Sequence, residues 1–278
     1  MSQRRRVEVL VLSDIHLGYH GCRAEELLAY LKTIAPQRIV LNGDIFDIWQ
    51  FSKSFWPESH LKVLRRLLKY SQQGIPVHYV TGNHDEALRR YSPCMLGTVE
   101  LVDRLELKLD GKRHWFLHGD AFDALIATPR WLQWMGGMSY EVVSFISAWL
   151  NRARAYLGMS RISPATYFKH HLASAARHIA HFEEVCARMA AERGCEVIVC
   201  GHIHAANKRF VQIAQGERTV EVLYLNSGDW VDSCTALEYL DGQWVVNHVR
   251  DLRALNVLEE TASLLDARTL ATPDACMQ

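Results

Sequence analysis

Five short polar clusters in this chain combine the residue types that hold divalent cations. In chain order they are Asp14-Ile15-His16, Gly43-Asp44, Gly82-Asn83-His84-Asp85, His118-Gly119-Asp120 and Gly201-His202-Ile203-His204. Carboxylate and amide oxygens together with imidazole nitrogens suit Mn²⁺, Fe or Zn²⁺, and the lack of cysteine in the clusters disfavours a site built on thiolates. Taken singly, each cluster has an ordinary alternative as a turn, a helix cap or a structural histidine. Their order and combination indicate one site for two cations.

The elements that must position these clusters are strands, because each cluster follows an apolar run. The runs cover residues 7–12, 38–41, 77–80, 115–117 and 197–200. In an open α/β sheet, ligands bind at the carboxyl ends of the strands, so the clusters are expected to converge there. The spacing of two in Asp14-x-His16 and His202-x-His204 predicts that each pair leaves an extended strand on one side.

The remaining periodicities predict the fold class. Residues 24–34 and 59–73 have apolar side chains at helical spacing between the first strands, which is typical of βαβ units and a largely parallel sheet. Residues 208–213, 219–225, 235–240 and 243–249 alternate like strands between turn residues. We expect them to form a second, mostly antiparallel sheet, within a single α/β domain over residues 1–278.

No strand pattern appears between Asp120 and Gly194, where residues 129–157 and 164–193 favour helices. We interpret approximately residues 123–193 as a helical lid beside the site. Trp131, Trp134, Arg152, Arg154 and Arg161 are its candidate substrate contacts, the tryptophans for apolar groups and the arginines for phosphate. Two ordinary alternatives stay open: a Trp and Met stripe is usually core, and basic helix residues are usually a solvated face. Approximately residues 253–278 are predicted to be a C-terminal surface segment.

Composition restricts the partners. Lys plus Arg equals Asp plus Glu at 31 each, so the net charge gives no overall positive potential that would attract nucleic acid. We therefore expect no nucleic acid as a partner. The seven cysteines form no Cys-x-x-Cys pair, which favours reduced thiols. No stretch approaches the ~20 apolar residues of a membrane span. We therefore expect a cytoplasmic protein, with peripheral contact between the lid and the inner membrane as an open alternative.

The motifs Asp-x-His, Gly-Asp, Gly-Asn-His-Asp, His and Gly-His-x-His resemble, as an ordered set over residues 7–229, the calcineurin-like metallophosphoesterase superfamily. The resemblance implies an αββα sandwich of two mixed sheets and a centre of two divalent cations, with Mn²⁺ expected first and Fe or Zn²⁺ as alternatives. It implies that Asp14, His16 and His204 hold one cation, that Asn83, His118 and His202 hold the other, and that Asp44 bridges them. Two such cations would activate water and neutralise a phosphoryl group.

Two further roles follow from the same resemblance. His84 is not needed as a ligand and would contact a phosphoryl oxygen or protonate the leaving group, with Asp85 fixing its tautomer. Asn83 and His84 would thus meet the substrate.

Within the superfamily, the sequence around Asp14, Asp44 and His118 resembles that of the UDP-2,3-diacylglucosamine diphosphatase branch. That branch implies hydrolysis of a pyrophosphate bond in UDP-2,3-diacylglucosamine, with release of UMP, in lipid A assembly. One residue departs from the branch, because His84 stands where its best-known members have arginine. Two alternatives therefore stay open: a phosphodiesterase or nucleotide pyrophosphatase with another substrate, and a metal-binding scaffold without turnover.

Overall fold

A computed structural model describes residues 4–51, 55–123 and 164–249, and of residues 164–175 it describes the backbone alone. Within these ranges the strands are β1 (Arg5–Leu12), β2 (Ile34–Asn42), β3 (Val77–Val80), β4 (Cys94–Leu96), β5 (Val99–Val102), β6 (Leu105–Leu109), β7 (Lys112–Phe116), β8 (Val197–Cys200), β9 (Asn207–Gln215), β10 (Arg218–Asn226), β11 (Thr235–Leu240) and β12 (Gln243–His248). The helices are α1 (Ala24–Thr33), α2 (Glu58–Gln72) and α3 (Pro164–Glu192). Short 3₁₀ segments lie at Ile48–Gln50, Glu86–Tyr91 and Asp120–Phe122.

The first sheet has the strand order β12-β11-β1-β2-β3-β5-β4. Strands β1, β2, β3 and β5 run parallel, with Leu10 of β1 opposite Ile39 of β2. Helices α1 and α2 pack on its outer face, where Leu27, Val63 and Leu67 join the strand side chains in one buried cluster. The buried positions of α2 recur every three to four residues, which is why its sequence forms an amphipathic helix on this face.

The second sheet has the order β6-β7-β8-β10-β9, with β7, β8 and β10 parallel. Helix α3 covers its outer face. Phe182 and Cys186 of that helix are buried against Trp115, Ile198 and Tyr224. The described part of the predicted 123–193 insertion therefore ends in a helix that belongs to the core of the molecule.

The two sheets face each other across a third apolar cluster that includes Val9, Val40, Phe116, Val199 and Leu225. The second half of β1, residues 9–12, is buried on both faces, which explains why its sequence there is a continuous apolar run with no alternation. Helices outside and two mixed sheets inside confirm the α/β, αββα architecture.

The predicted composition of the second sheet is wrong. Of the four strand-like runs after His204, only the first two join it, as β9 and β10. Strands β11 and β12 return to the first sheet, where β11 pairs antiparallel with β1 and places Tyr239 opposite Val9. The second sheet also contains β7 and β8, two of the strands whose carboxyl ends carry the polar clusters. A strand pattern gives the buried face of a strand and its length but not its partner, and so could not assign these strands.

Several predictions concern residues outside the described ranges. These are the helix predicted over residues 129–157, most of the predicted lid and the C-terminal segment of residues 253–278. The predicted helix over residues 164–193 corresponds to α3. None of the three helices in the described ranges is both long and apolar enough to cross a bilayer.

Candidate metal centre

All seven residues predicted as metal ligands lie just beyond strand ends. Asp14 and His16 follow β1, Asp44 follows β2, Asn83 follows β3, His118 follows β7, and His202 and His204 follow β8. Since β1 to β3 belong to the first sheet and β7 and β8 to the second, the site is assembled by both sheets.

Five of these residues have left-handed backbone conformations, which non-glycine residues rarely adopt. The φ angles are 50° for Asp14, 54° for His16, 54° for Asp44, 68° for His202 and 52° for His204. The expected reason for convergence, that residues two apart leave an extended strand on one side, is therefore wrong. The chain turns sharply at each of these five residues instead. Such strain is maintained only when the surrounding structure over-determines the conformation.

Glycines allow the turns to approach each other closely. A Cβ atom at Gly82 would lie 2.2 Å from Oδ1 of Asp44, and one at Gly201 would lie 2.5 Å from Oδ2 of Asp14. A Cβ at Gly43 would lie 2.3 Å from Nδ1 of His118. Contacts this short leave no room for any side chain, so these three positions require glycine.

The first group of ligands comprises Asp14, His16 and His204. The Nε2 atoms of His16 and His204 are 3.3 Å apart, and Nε2 of His204 is 3.2 Å from Oδ1 of Asp14. Two imidazole nitrogens and a carboxylate oxygen thus face a common point. The potential ligand atoms of these three residues all lie within 4.8 Å of one another.

The second group is held around Asp44. Nε2 of His118 is 3.1 Å from Oδ2 of Asp44 and 4.0 Å from Oδ1 of Asp14. Nδ1 of His202 lies 3.1 Å from Oδ1 of Asn83. Asp44 shares one compact group with Asp14 and His118 and another with His16 and His84, so it lies between the two sets of ligands.

The arrangement of His118 fits a cation. Its Nδ1 donates to the carbonyl of Asn42 at 2.9 Å, which fixes the ring and leaves Nε2 as the ligand atom. That Nε2 is buried, and its 3.1 Å contact with Oδ2 of Asp44 lacks the alignment of a hydrogen bond. A divalent cation between this nitrogen and the two facing carboxylates would satisfy all three groups, and the oxygen and nitrogen donors match Mn²⁺, Fe or Zn²⁺.

The charges in the centre perturb one another strongly. Burial opposes ionisation of Asp14, but the His204 and His118 imidazoles outweigh it and hold the pKa of this carboxyl below its ordinary value. Burial lowers the pKa of His204, yet the Asp14 carboxylate prevails and raises it to about 9. Asp44 and Asp14 likewise raise the pKa of His118 well above its ordinary value. The site is therefore built to hold positive charge.

His84 lies at the edge of this centre, but its partner is not the predicted one. Nδ1 of His84 is 3.0 Å from Oδ1 of Asp47. Burial opposes protonation, whereas the contact with Asp47 and the charges of Asp44 and Asp47 raise the pKa of His84 overall. The expectation that Asp85 orients His84 is not met by the geometry. The Asp85 carboxylate accepts instead from the backbone N–H of Ile45 and Gly82 and from the Tyr79 hydroxyl.

Asp47 is the functional residue that sequence reasoning missed. Besides His84, its carboxylate contacts Nδ1 of His16 at 3.3 Å and accepts from the backbone N–H of Gln50 at 3.1 Å. Burial opposes its ionisation, but the two histidines prevail and keep its pKa well below the ordinary value. The available signal was its position three residues after Asp44, on the same turn.

An aromatic surface adjoins His84. The Trp49 ring lies 4.1 Å from the His84 ring between centroids, and 60 % of Trp49 is exposed. Phe51 and Trp56, also partly exposed, continue this surface. The predicted substrate contacts Trp131, Trp134, Arg152, Arg154 and Arg161 lie outside the described residues.

Comparison with known proteins finds relatives that are similar to part of this chain. A curated UDP-2,3-diacylglucosamine hydrolase of Porphyromonas gingivalis is 30 % identical over 122 residues, which cover 41 % of this chain and 47 % of that protein. Another, from Neisseria gonorrhoeae, is 32 % identical over 113 residues, covering 39 % of this chain and 47 % of that protein. The chain thus spans about half the length of the curated relatives it matches.

Among solved structures, Yfce, a phosphoesterase from E. coli, is 16 % identical, with 87 % of this chain and 93 % of that chain covered and a TM-score of 0.42. The family profile described as calcineurin-like phosphoesterase matches residues 7–206, a span that includes every ligand residue of the centre. Because that match extends over most of the sequence, the chain belongs to the calcineurin-like phosphoesterase family.

Proposed function

We propose that this protein is a hydrolase of phosphoric esters or diphosphates that depends on two divalent cations. The observation that carries the proposal is the convergence of candidate oxygen and nitrogen ligands from both sheets beside the Asp47–His84 pair. Five of them form overlapping compact groups, and the other two, Asn83 and His202, lie 3.1 Å apart next to those groups. Asp14, His16 and His204 would hold one cation, Asn83, His118 and His202 the other, and Asp44 both. Bound there, the two cations would provide a nucleophile from water and neutralise the phosphoryl charge.

His84 is assigned the task of moving a proton. With Asp47 at its Nδ1, the ring would carry a second proton on Nε2 and give it to the leaving oxygen as the P–O bond breaks. The raised pKa of His84 favours the protonated form of the ring. Asp47 orients the ring and stabilises its positive charge. Asp85 supports the same loop through Ile45, Gly82 and Tyr79 without touching His84.

For the substrate we propose UDP-2,3-diacylglucosamine or a similar UDP-linked amphiphile, cleaved at its pyrophosphate bond to release UMP. The names of the partly aligned relatives support this choice. The exposed aromatic surface of Trp49, Phe51 and Trp56 offers apolar area for a ring or a chain next to the reacting phosphate. The proposal includes Mn²⁺ as the first metal to test, a role in lipid A biosynthesis and work at the cytoplasmic face of the inner membrane.

A second candidate is a metallophosphodiesterase or nucleotide pyrophosphatase that acts on another substrate. The Asp47–His84 pair favours it, since His84 replaces the arginine typical of the best-known lipid A diphosphatases. A proton donor is most useful when the leaving group is a poor one, such as an alkoxide.

The deciding experiment follows UMP release from UDP-2,3-diacylglucosamine by the Mn²⁺-loaded protein, with bis-p-nitrophenyl phosphate as a generic diester. Asp44→Asn is the control, because it weakens the bridging position and is expected to abolish both reactions. UMP release that Asp44→Asn abolishes supports the lipid substrate. Hydrolysis of the diester alone supports the second candidate. Absence of both reactions in the wild type would contradict an enzymatic function.

A further inference from the structure

His202 has a partner that its role in the centre does not by itself require. Its Nε2 lies 2.9 Å from Oδ2 of Asp123. Asp123 ends the short 3₁₀ segment after β7, where its backbone N–H donates to the carbonyl of Asp120 at 3.1 Å. The Asp123 side chain is 38 % exposed. It thus reaches the outer side of the His202 ring from the rim of the site.

The other contacts of His202 fix the position of the ring but not which ring nitrogen carries the proton. The backbone N–H of His202 donates to the Asp14 carboxylate at 3.2 Å. The Phe182 ring, from α3, packs beside the imidazole with centroids 6.2 Å apart, and a Cβ atom at Gly119 would come within 3.4 Å of the His202 Cβ. These contacts are equally compatible with a proton on either ring nitrogen.

We infer that Asp123 is the positioning residue that selects the ligand tautomer of His202. When Nε2–H donates to the Asp123 carboxylate, Nδ1 is left without a proton and presents a lone pair toward the centre. The Asn83 oxygen, 3.1 Å from that Nδ1, presents another. Two lone pairs so close repel each other unless a cation lies against both. Asp123 thereby prepares the cation position shared by Asn83 and His202.

Two of the other candidate ligand imidazoles follow the same plan. Nδ1 of His118 donates to the Asn42 carbonyl, and Nδ1 of His16 contacts the Asp47 carboxylate. Outer oxygen partners of this kind fix metal-binding histidines, and their loss typically lowers metal affinity about 10- to 100-fold. Asp123 differs from the other two partners in lying on the second-sheet side and on a partly exposed turn.

The test measures metal binding, and it rests on the proposed function because it needs a centre for two cations. Metal-depleted protein is titrated with Mn²⁺ by equilibrium dialysis, and bound metal is counted by elemental analysis. We expect two ions per chain in the wild type. In Asp123→Ala, affinity for one of the two should fall roughly 10- to 100-fold while affinity for the other stays unchanged. Asp123→Asn, whose amide oxygen can still accept from Nε2–H, should show a smaller loss.

Two controls separate positioning from damage to the fold. Asp103→Asn removes another partly exposed carboxylate near the rim, one that pairs with Arg89 and not with a ligand histidine, and should keep both affinities. Nitrogen NMR of the metal-free wild type should show the His202 ring protonated at Nε2, and Asp123→Ala should lose that preference without a change in melting temperature.

The outcomes are distinguishable. Wild-type affinity for both ions in Asp123→Ala would overturn the inference and leave the proposed function intact. Equal loss of both ions together with a lower melting temperature of the metal-free variant would show a merely structural role and also overturn it. Fewer than two ions in the wild type itself would overturn the proposed function and, with it, this inference.

Discussion

Asp47 contacts two histidines to which the proposed mechanism gives different roles. In that proposal His16 holds the first cation, whereas His84 belongs to neither ligand set, and one buried carboxylate contacts the Nδ1 atoms of both. Neutralising Asp47 should therefore affect both metal binding and proton transfer, while removing the His84 ring should affect proton transfer alone. The two substitutions separate the contributions of this pair.

His84→Ala is expected to lower the turnover of alkyl esters by about 10²- to 10⁴-fold, the usual value of a positioned general acid, with metal content unchanged. The loss should be small for p-nitrophenyl esters, because p-nitrophenolate leaves without a proton, and large for alkyl esters. Steady-state rates on both ester types and metal analysis of the same samples check this. Equal loss of metal and turnover would defeat the role of His84 as a proton donor.

Asp47→Asn should instead lower Mn²⁺ affinity as well as turnover, since it removes the outer partner of His16. Excess Mn²⁺ should restore part of the turnover with p-nitrophenyl esters and little with alkyl esters. The measurement is the rate as a function of Mn²⁺ concentration on both esters. A variant that Mn²⁺ restores fully on alkyl esters would show that Asp47 serves only the metal.

For individual residues, the sequence indicates which residue types form the site but not which side chains contact each other. The seven candidate ligands could be selected from the sequence by their chemistry and their place after apolar runs, and the structure brings them close together. The Asp47–His84 and Asp123–His202 contacts were not predicted, since each depends on where a turn places a carboxylate. Asp85 was the nearer residue in sequence and proved to be the wrong one.

The turns after the strands, more than the strands themselves, decide whether the centre forms. The strands of the two sheets end next to each other. The side chains come into contact because five candidate ligands have left-handed backbone conformations. The lack of side chains at Gly43, Gly82 and Gly201 lets the turns approach closely. A substitution that leaves every strand intact can therefore still destroy the site.

Gly82→Ala tests this statement. Its new methyl carbon would lie 2.2 Å from Oδ1 and 2.6 Å from the backbone nitrogen of Asp44, and the latter contact cannot be relieved by rotating a side chain. We expect a loss of about 1–3 kcal/mol in the free energy of unfolding from overpacking and at least ~10²-fold in turnover from the displaced bridging carboxylate. Urea denaturation and steady-state kinetics measure the two losses.

The matched control is Gly216→Asn. Gly216 lies in the β9–β10 hairpin with a φ of 63°, and the position that a Cβ atom would take there has no other atom within 4 Å. Asparagine tolerates this backbone conformation, so stability and turnover should stay near wild type. If Gly82→Ala were as mild as the control, the close approach of the β2 and β3 turns would not be needed for function.

The strands themselves were largely predictable. Residues 77–80 and 197–200 were predicted with the observed bounds of β3 and β8, because short apolar runs bounded by polar clusters leave little ambiguity. The short strands β4, β5 and β6 had no prediction. Membership of a sheet was the harder question, and β11 and β12 show why: their alternation is compatible with either sheet.

Two buried tyrosines in the described ranges, Tyr30 and Tyr79, have hydroxyls that face carboxylates. The Tyr30 hydroxyl donates to Glu238 at 2.5 Å and the Tyr79 hydroxyl to Asp85 at 2.6 Å. Burial first, and then the charge of the facing carboxylate, raise the pKa of both tyrosines well above the ordinary value. A phenolate at either place would be buried against a negative charge.

Stability should therefore decline at alkaline pH. The folded pKa of each tyrosine exceeds the unfolded value of about 10, so its contribution is fully present below pH ~10 and is lost as pH rises further. Each should add up to about 1.4 kcal/mol per pH unit to the decline in the free energy of unfolding. Urea denaturation between pH 9 and 11.5 measures the slope, and Tyr30→Phe should make it shallower. The same slope in wild type and variant would contradict the assignment for Tyr30.

The position of strands β10 and β11 late in the sequence matters for any attempt to produce the metal centre as a fragment. Strand β10 lies beside β8, and β11 lies beside β1, yet both come after residue 206, where the family match ends. The backbone N–H of the buried Trp230 also donates to the carbonyl of Asp14 at 3.0 Å. A piece ending at residue 206 would contain every ligand but expose the edges of two central strands, which promotes aggregation. The region that matches the family and the smallest fragment able to fold thus have different boundaries. We therefore expect that the centre does not form in a fragment limited to the matched region.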